Sequence, residues 1–167
     1  MILHYRDRLV ESDLQAVQEI VESTGFFTRA EIGVALELVQ EHLAKGTASG
    51  YSFLLAEDGL GVTLGYTCFG PIPCTQESFD MYWIAVRPDH QGCGIGKSLF
   101  EQTEQSIAEL GGSRIYIETS SRATYAPTRE FYLKSGYRKE AALKDFYSPG
   151  DDKIIFTKEL TSGKSSR

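Results

Sequence analysis

A glycine-rich run, GCGIGKS at residues 92–98, has the composition of a phosphate-binding loop. Glycines let the backbone turn its N–H groups towards an anion, and a helix after the loop adds the positive end of its dipole. Two common loops do not fit. The triphosphate loop GxxxxGK[ST] needs a glycine where Gln91 stands, and the dinucleotide loop GxGxxG needs one where Lys97 stands. A nucleotide triphosphatase is therefore supported only by the near match at its last three residues.

The pattern that does fit is Gln-x-x-Gly-x-Gly at residues 91–96, between a buried strand and an amphipathic helix. With it the chain resembles the GNAT superfamily of acyl-CoA-dependent N-acetyltransferases. The resemblance implies acetyl-CoA as cofactor, with its pyrophosphate held by the loop and by the start of the helix. The residues so implied are Gln91, Gly92, Cys93, Gly94, Ile95, Gly96, Lys97 and Ser98. No histidine is paired with Cys93 in the sequence pattern, so we do not interpret it as an acyl carrier. We interpret it as a small residue of the loop whose backbone N–H contributes to binding.

Two further segments carry the resemblance. Residues 83–88, WIAVRP, resemble the strand of that family that parts from its neighbour and pairs with the pantetheine arm, which implies Ile84, Ala85 and Val86 along the arm. Residues 131–137, FYLKSGY, resemble a second family signature about 40 residues after the loop.

Two positions ahead of the second signature depart from the family. Many members carry an Asn six residues before the signature Tyr and an Ala three before it, where this chain has Ala126 and Arg129. A contact of that Asn with the cofactor is therefore not expected here. The candidates for contacting CoA in its place are Tyr125, Thr128 and Arg129.

Amine acetylation needs a base for the amine and an acid for the departing thiolate. Tyr132 matches the family's usual acid, since a phenol is protonated at neutral pH. Asp80 lies where related enzymes often have a catalytic Glu, and strand periodicity puts it on one face with Ile84 and Val86. Glu77, Glu118 or a chain of water molecules are the alternatives for the base.

The composition limits the classes of protein to which the chain could belong. A net charge of −6 argues against a nucleic-acid partner, and 167 residues suit one domain. We predict a single acetyltransferase domain over 1–160 and a mobile tail over 161–167. No run is apolar enough to span a membrane, no signal sequence is evident, and three cysteines form no metal or disulfide pattern, so we predict a cytoplasmic protein without a metal.

The periodicity predicts an α/β fold. Strands are expected at 2–8, 51–56, 61–69, 79–86, 114–119, 137–147 and 153–160. Helices are expected after capping boxes at Ser12 and Thr28, over 98–110, and between Pro127 and Gly136. This order matches the GNAT fold, which implies a mixed, mostly antiparallel sheet of about seven strands flanked by four helices.

The favoured function is that of an acetyltransferase, which moves an acetyl group directly from acetyl-CoA to a primary amine. The acceptor stays open between a small-molecule amine, a protein N-terminus and a lysine. The alternative function is a non-catalytic acyl-CoA-binding or regulatory module. Exposed strand edges also suggest a homodimer. Five aromatic residues either line an acceptor pocket or belong to the core: Phe26, Phe27, Tyr66, Phe69 and Trp83.

Overall fold

The computed structural model describes residues 1–25 and 27–161. Phe26 and nearly all of the predicted tail lie outside the described residues. The strands are β1 (His4–Arg6), β2 (Ser52–Glu57), β3 (Thr63–Pro71), β4 (Ser78–Val86), β5 (Arg114–Ser120), β6 (Arg138–Ser148) and β7 (Asp151–Glu159). The helices are α1 (Asp13–Ser23), α2 (Arg29–Lys45), α3 (Ile95–Glu109) and α4 (Ala126–Lys134).

The strands form a seven-stranded mixed sheet in the order β1-β2-β3-β4-β5-β7-β6. Strand β4 pairs with β5 in parallel, while β1–β2, β2–β3, β5–β7 and β6–β7 are antiparallel. The predicted fold class, a mostly antiparallel sheet with four helices, is confirmed. The sequence did not predict that β7 lies between β5 and β6.

The chain divides into two compact units, and one of them comprises Met1–Gly70 and Met81–Thr103. In this first unit α1 and α2 pack their apolar stripes against inward-facing side chains of β2, β3 and β4. Helix α3 packs closely on β3 at Gly65, where an added Cβ would lie 2.9 Å from the Ala85 carbonyl oxygen and 3.1 Å from Leu99. Nearby, the buried hydroxyls of Thr67 and Thr103 are hydrogen-bonded at 2.7 Å.

The other unit comprises Pro71–Asp80 and the described residues from Glu104 onward. Strand β7 is its central element, because it pairs with β5 on one side and with β6 on the other. Glu104 is partly buried in this unit, and its carboxylate accepts hydrogen bonds from the Lys158 ammonium at 2.9 and 3.0 Å and from the Tyr137 hydroxyl at 3.1 Å. The prediction that 1–160 form one domain stays a prediction.

The two predicted capping boxes have different outcomes. At the start of α2, the Thr28 hydroxyl accepts from the Glu31 N–H at 3.2 Å and the Glu31 carboxylate accepts from the Thr28 N–H at 2.6 Å, which confirms that box. The box at Ser12 is wrong, since its side chain makes no capping hydrogen bond. The Asp13 carboxylate instead closes the turn ahead of the helix, where it accepts from the Val10 N–H at 2.7 Å.

Candidate functional site

The glycine loop lies in the first unit, between β4 and α3. Gly92 and Gly94 have φ angles of +77° and +83°, a left-handed conformation that favours glycine. A Cβ added to either glycine would meet no atom within 4 Å, so the backbone conformation and not crowding demands glycine here. The Gln91 amide fixes the beginning of the loop by donating to the Val86 carbonyl oxygen at 3.1 Å.

Helix α3 begins at Ile95, three residues earlier than the sequence predicted. The N–H of Ser98 donates to the Gly94 carbonyl at 3.0 Å, whereas N–H groups ahead of it in such a helix have no acceptor within the helix. Gly96 and Lys97 are therefore residues of the first helical turn. Ile95 is buried and anchors that turn. This arrangement presents backbone donors and a positive dipole end to an anion.

The side chains of the loop have different surroundings. The Lys97 ammonium is exposed and lies 3.8 Å from the Glu101 carboxylate. The Ser98 hydroxyl is hydrogen-bonded to the Tyr5 hydroxyl of β1. Cys93 is exposed, and its sulfur lies 3.9 Å from the Gln91 carbonyl oxygen.

The C-terminal half of β4 leads into this loop. Ala85 and Val86 are buried and Ile84 is partly buried. Ala85 and Trp83 belong to the face of the strand that packs against the α1 and α2 core. The parallel pairs of β4 with β5 are Ser78–Arg114, Phe79–Ile115 and Asp80–Tyr116, all N-terminal to the three predicted cofactor residues.

Asp80 lies in the second unit and is half-buried. Burial, reinforced by the Glu118 carboxylate and opposed by the Lys153 ammonium, raises the pKa of Asp80 to about 6. A carboxyl group with a pKa near the working pH suits a general base. The two alternatives have partners: Glu77 is exposed and accepts from the Ser113 hydroxyl at 2.7 Å, and Glu118 pairs with Lys153 at 2.9 Å.

Tyr132 lies on α4 in the same unit and is buried. Its ring makes an edge contact with Phe156, the centroids being 5.5 Å apart, and it also contacts Tyr137. Burial raises the pKa of the Tyr132 phenol well above its ordinary value. The hydroxyl therefore stays protonated at neutral pH and is able to donate its proton.

Arg129 is placed at the beginning of α4 by two backbone carbonyls. Its Nη1 donates to Ser120 at 2.7 Å and to Arg122 at 2.9 Å. Tyr125 is buried beneath the Arg122 guanidinium, which lies 5.1 Å from its ring centroid. The guanidinium of Arg129 is thus held in one orientation at the start of a helix, where anions are favoured.

The described aromatic residues of the suggested acceptor pocket divide into two groups. Tyr66 and Phe69 are buried in the core of the first unit. Phe27 and Trp83 are partly buried and pack against each other with ring centroids 4.9 Å apart. Tyr66 and Phe69 therefore belong to the hydrophobic core.

Sequence reasoning missed Lys153 and Phe146. The Lys153 ammonium lies 3.8 Å from the centroid of the Phe146 ring and 2.9 Å from the Glu118 carboxylate. A lone lysine in a hairpin carries no signal in the sequence. Only the pairing of β5, β7 and β6 brings these residues together.

Within residues 1–25 and 27–161, no helix has the length and apolar character that crossing a bilayer requires. The same described part of the chain contains no cluster of three or more histidine, cysteine or acidic side chains suited to a metal ion.

Comparison with known proteins gives a consistent result. Residues 49–139 match the family model described as an acetyltransferase (GNAT) domain. A crystal structure assigned to the GNAT acetyltransferases, from Desulfovibrio desulfuricans, superposes with a TM-score of 0.91 at 45% identity, covering 95% of this chain and 99% of that one. The PaiA N-acetyltransferase of Thermoplasma acidophilum, in complex with coenzyme A, gives 0.73 at 18% identity over 96% of this chain and 100% of that one, which shows the fold alone.

A curated relative, an uncharacterized N-acetyltransferase of Methanocaldococcus jannaschii, is 30% identical over 81 residues. The match covers 48% of this chain and 51% of the relative, so the chain spans about half the length of the curated relative that it matches.

Proposed function

Because the chain belongs to the GNAT family of acetyltransferases, we propose that it moves an acetyl group from acetyl-CoA to a primary amine by direct transfer. The acceptor amine belongs to a small molecule or to a protein. The observation that carries the proposal is the loop that opens α3, in which Gly92 and Gly94 are left-handed and Gln91 is tied to Val86. A cytoplasmic location and a homodimer stay predictions.

The loop fits the pyrophosphate of coenzyme A. Its backbone holds two left-handed glycines followed by the first turn of a helix, an arrangement whose N–H groups bind phosphate oxygens. The donors would come from Gln91 through Ser98, with the Lys97 ammonium nearby on the exposed side of the turn. Coenzyme A bound to the structural neighbour from Thermoplasma supports this ligand.

The pantetheine arm would run along β4. The pairs of β4 with β5 end at Asp80, and the proposed contact residues Ile84, Ala85 and Val86 follow four to six positions later. Their backbone groups would bind the amides of the arm as an added strand would. Arg129, already oriented by the carbonyls of Ser120 and Arg122, would supply a cation to the cofactor.

The chemistry needs two proton transfers. When bound, acetyl-CoA supplies an electrophilic thioester carbonyl and a thiolate leaving group. Asp80 accepts the proton of the amine at a carboxylate oxygen, and its pKa of about 6 leaves it mostly ionised at neutral pH. Tyr132 donates the proton of its hydroxyl to the departing sulfur, since burial keeps that phenol protonated.

Cofactor binding is tested by calorimetric titration with acetyl-CoA, with ATP as the competing phosphate ligand. We expect acetyl-CoA to bind and ATP to give no heat. Gly94→Ala should weaken acetyl-CoA binding about tenfold or more, because a side chain disfavours the left-handed backbone. Gly61→Ala is the matched control, since Gly61 is also left-handed, at φ +79°, with no atom within 4 Å of an added Cβ. Equal effects of both substitutions on affinity would contradict the loop assignment.

Catalysis is tested by thiol release with a panel of primary amines. Tyr132→Phe should bind acetyl-CoA normally and transfer on the order of 10²-fold more slowly. Tyr137→Phe, another buried phenol of the same unit, should lower stability through loss of its bond to Glu104 and leave transfer intact. Unchanged turnover of Tyr132→Phe would remove the acid role. Binding without turnover by the wild-type protein with every amine would favour a non-catalytic acyl-CoA-binding module.

A further inference from the structure

An ammonium group sits between a carboxylate and an aromatic ring in the second unit. The Lys153 Nζ of β7 lies 2.9 Å from the Glu118 carboxylate of β5 and 3.8 Å from the Phe146 ring centroid of β6. The Lys153 side chain is only 14% exposed, whereas Glu118 is 49% exposed. Lysine is rarely this enclosed unless its charge is paired, and the pair and the ring provide that compensation.

Strand register brings this group to the face that carries Asp80. In β5 and β7, Glu118 pairs with Ile155 and Ser120 pairs with Lys153, so Glu118 and Lys153 lie diagonally on one face. Asp80 pairs with Tyr116, which precedes Glu118 by one strand period on that same face. The charged groups that act on Asp80 are thus Glu118 and Lys153.

The two charges act on Asp80 in opposite directions. A second carboxylate nearby disfavours ionisation of Asp80, and an ammonium favours it. Together with burial they leave the pKa of Asp80 at about 6, which is below neutrality. Without the ammonium, burial and the unneutralised Glu118 would both act to keep Asp80 protonated.

We infer that Lys153 is a positioning residue that keeps Asp80 able to accept a proton, through an ammonium held in place by Glu118 and Phe146. The inference rests on the proposed role of Asp80 as the base. The effect of Lys153 on the protonation of Asp80 involves only Asp80, Glu118 and Lys153. This effect is measured in the absence of substrate turnover.

The first measurement is the NMR titration of the Asp80 carboxyl carbon in the full chain, assigned by loss of its signal in Asp80→Asn. Lys153→Met keeps the length of the side chain and removes the charge, and should raise the midpoint by about half a pH unit to one unit. Lys153→Arg keeps the charge and should restore most of the wild-type midpoint. Lys139→Met, a neutralised exposed lysine on β6, is the matched control and should leave the midpoint in place.

Glu118→Gln provides a test of opposite sign. Removing this carboxylate should lower the Asp80 midpoint, whereas Lys153→Met raises it. A purely structural lysine would lower the melting temperature in Lys153→Met without moving the Asp80 midpoint in that variant. An unmoved or lowered midpoint in Lys153→Met overturns the inference.

The second measurement is the acid limb of the pH profile of kcat/KM. It should move to higher pH in Lys153→Met and return with Lys153→Arg. If the titration midpoint moves while the acid limb stays, Lys153 controls Asp80 as inferred, but Asp80 is not the base and the proposed function needs another one. If neither moves, the inference fails whatever the enzyme's activity.

Discussion

Asp80→Asn should make the protein more stable and less active. Asparagine has the shape of the protonated carboxyl group and does not ionise. Burial and the Glu118 carboxylate raise the pKa of Asp80 to about 6 in the folded protein, from an ordinary value near 3.8. A group whose pKa is raised on folding contributes stability that is full below its unfolded value and is lost as the pH rises through the folded value. The loss therefore develops between about pH 4 and about pH 6.

The structure sets the size of this effect. The rise in pKa corresponds to at most about 3 kcal/mol at 1.36 kcal/mol per pH unit. Asp80 is only half-buried, so solvent screening reduces the penalty and we expect about 1 kcal/mol. At about pH 8 the free energy of unfolding of Asp80→Asn should exceed that of wild type by this amount. Below about pH 4 the two proteins should be equally stable with respect to this group.

Urea unfolding of both proteins across this pH range is the assay. Asp7→Asn is the matched control, since it makes the same substitution at an exposed aspartate. Acetyl transfer by Asp80→Asn should fall by about 10²-fold or more if Asp80 is the base. A stability difference that is constant with pH, or a variant less stable than wild type at about pH 8, would refute the electrostatic reasoning.

Three further predictions concern stability and are measured by thermal unfolding. Tyr66→Phe should raise the free energy of unfolding by about 1 kcal/mol, since the Tyr66 hydroxyl is buried with no hydrogen-bond partner among the described residues. A loss of stability would mean that this hydroxyl does have a partner. Thr28→Ala should cost about 1 kcal/mol by removing the reciprocal bonds with Glu31, while acetyl-CoA affinity stays unchanged. Gly112→Ala should lower the free energy of unfolding by about 2 kcal/mol, because the new Cβ would lie 2.7 Å from the Phe79 ring. A neutral effect would mean that the core side chains of the second unit shift to make room for the added methyl group.

The order of the elements and the geometry of the glycine loop follow from neighbouring residues. Alternation and helical spacing of apolar residues located the seven strands and four α-helices found in residues 1–25 and 27–161, because those periods depend only on local backbone geometry. The helix end at Gly136 was likewise predicted, and Gly136 is left-handed there, as are Gly92 and Gly94 in the loop, a conformation that glycine tolerates.

Local patterns failed where a distant side chain competes for the same group. The Ser12 box matched the pattern of a capping box, as Thr28 did. In the fold, the Asp13 carboxylate binds the Val10 N–H ahead of the helix, and Arg6 of β1 holds that carboxylate with two bonds of 2.8 Å. The sequence shows that Arg6 is present, but not that the fold brings its guanidinium within hydrogen-bond distance of Asp13.

The chain's own sequence determined the elements, the position of the glycine-rich loop and the choice of Asp80 and Tyr132 as candidates. Tertiary structure alone decided that β7 lies between β5 and β6, and therefore that Lys153 meets Glu118 on the Asp80 face. The physical reason is range: backbone conformation depends on adjacent residues, whereas the pKa of a carboxyl group depends on charges and burial contributed by strands far apart in the chain.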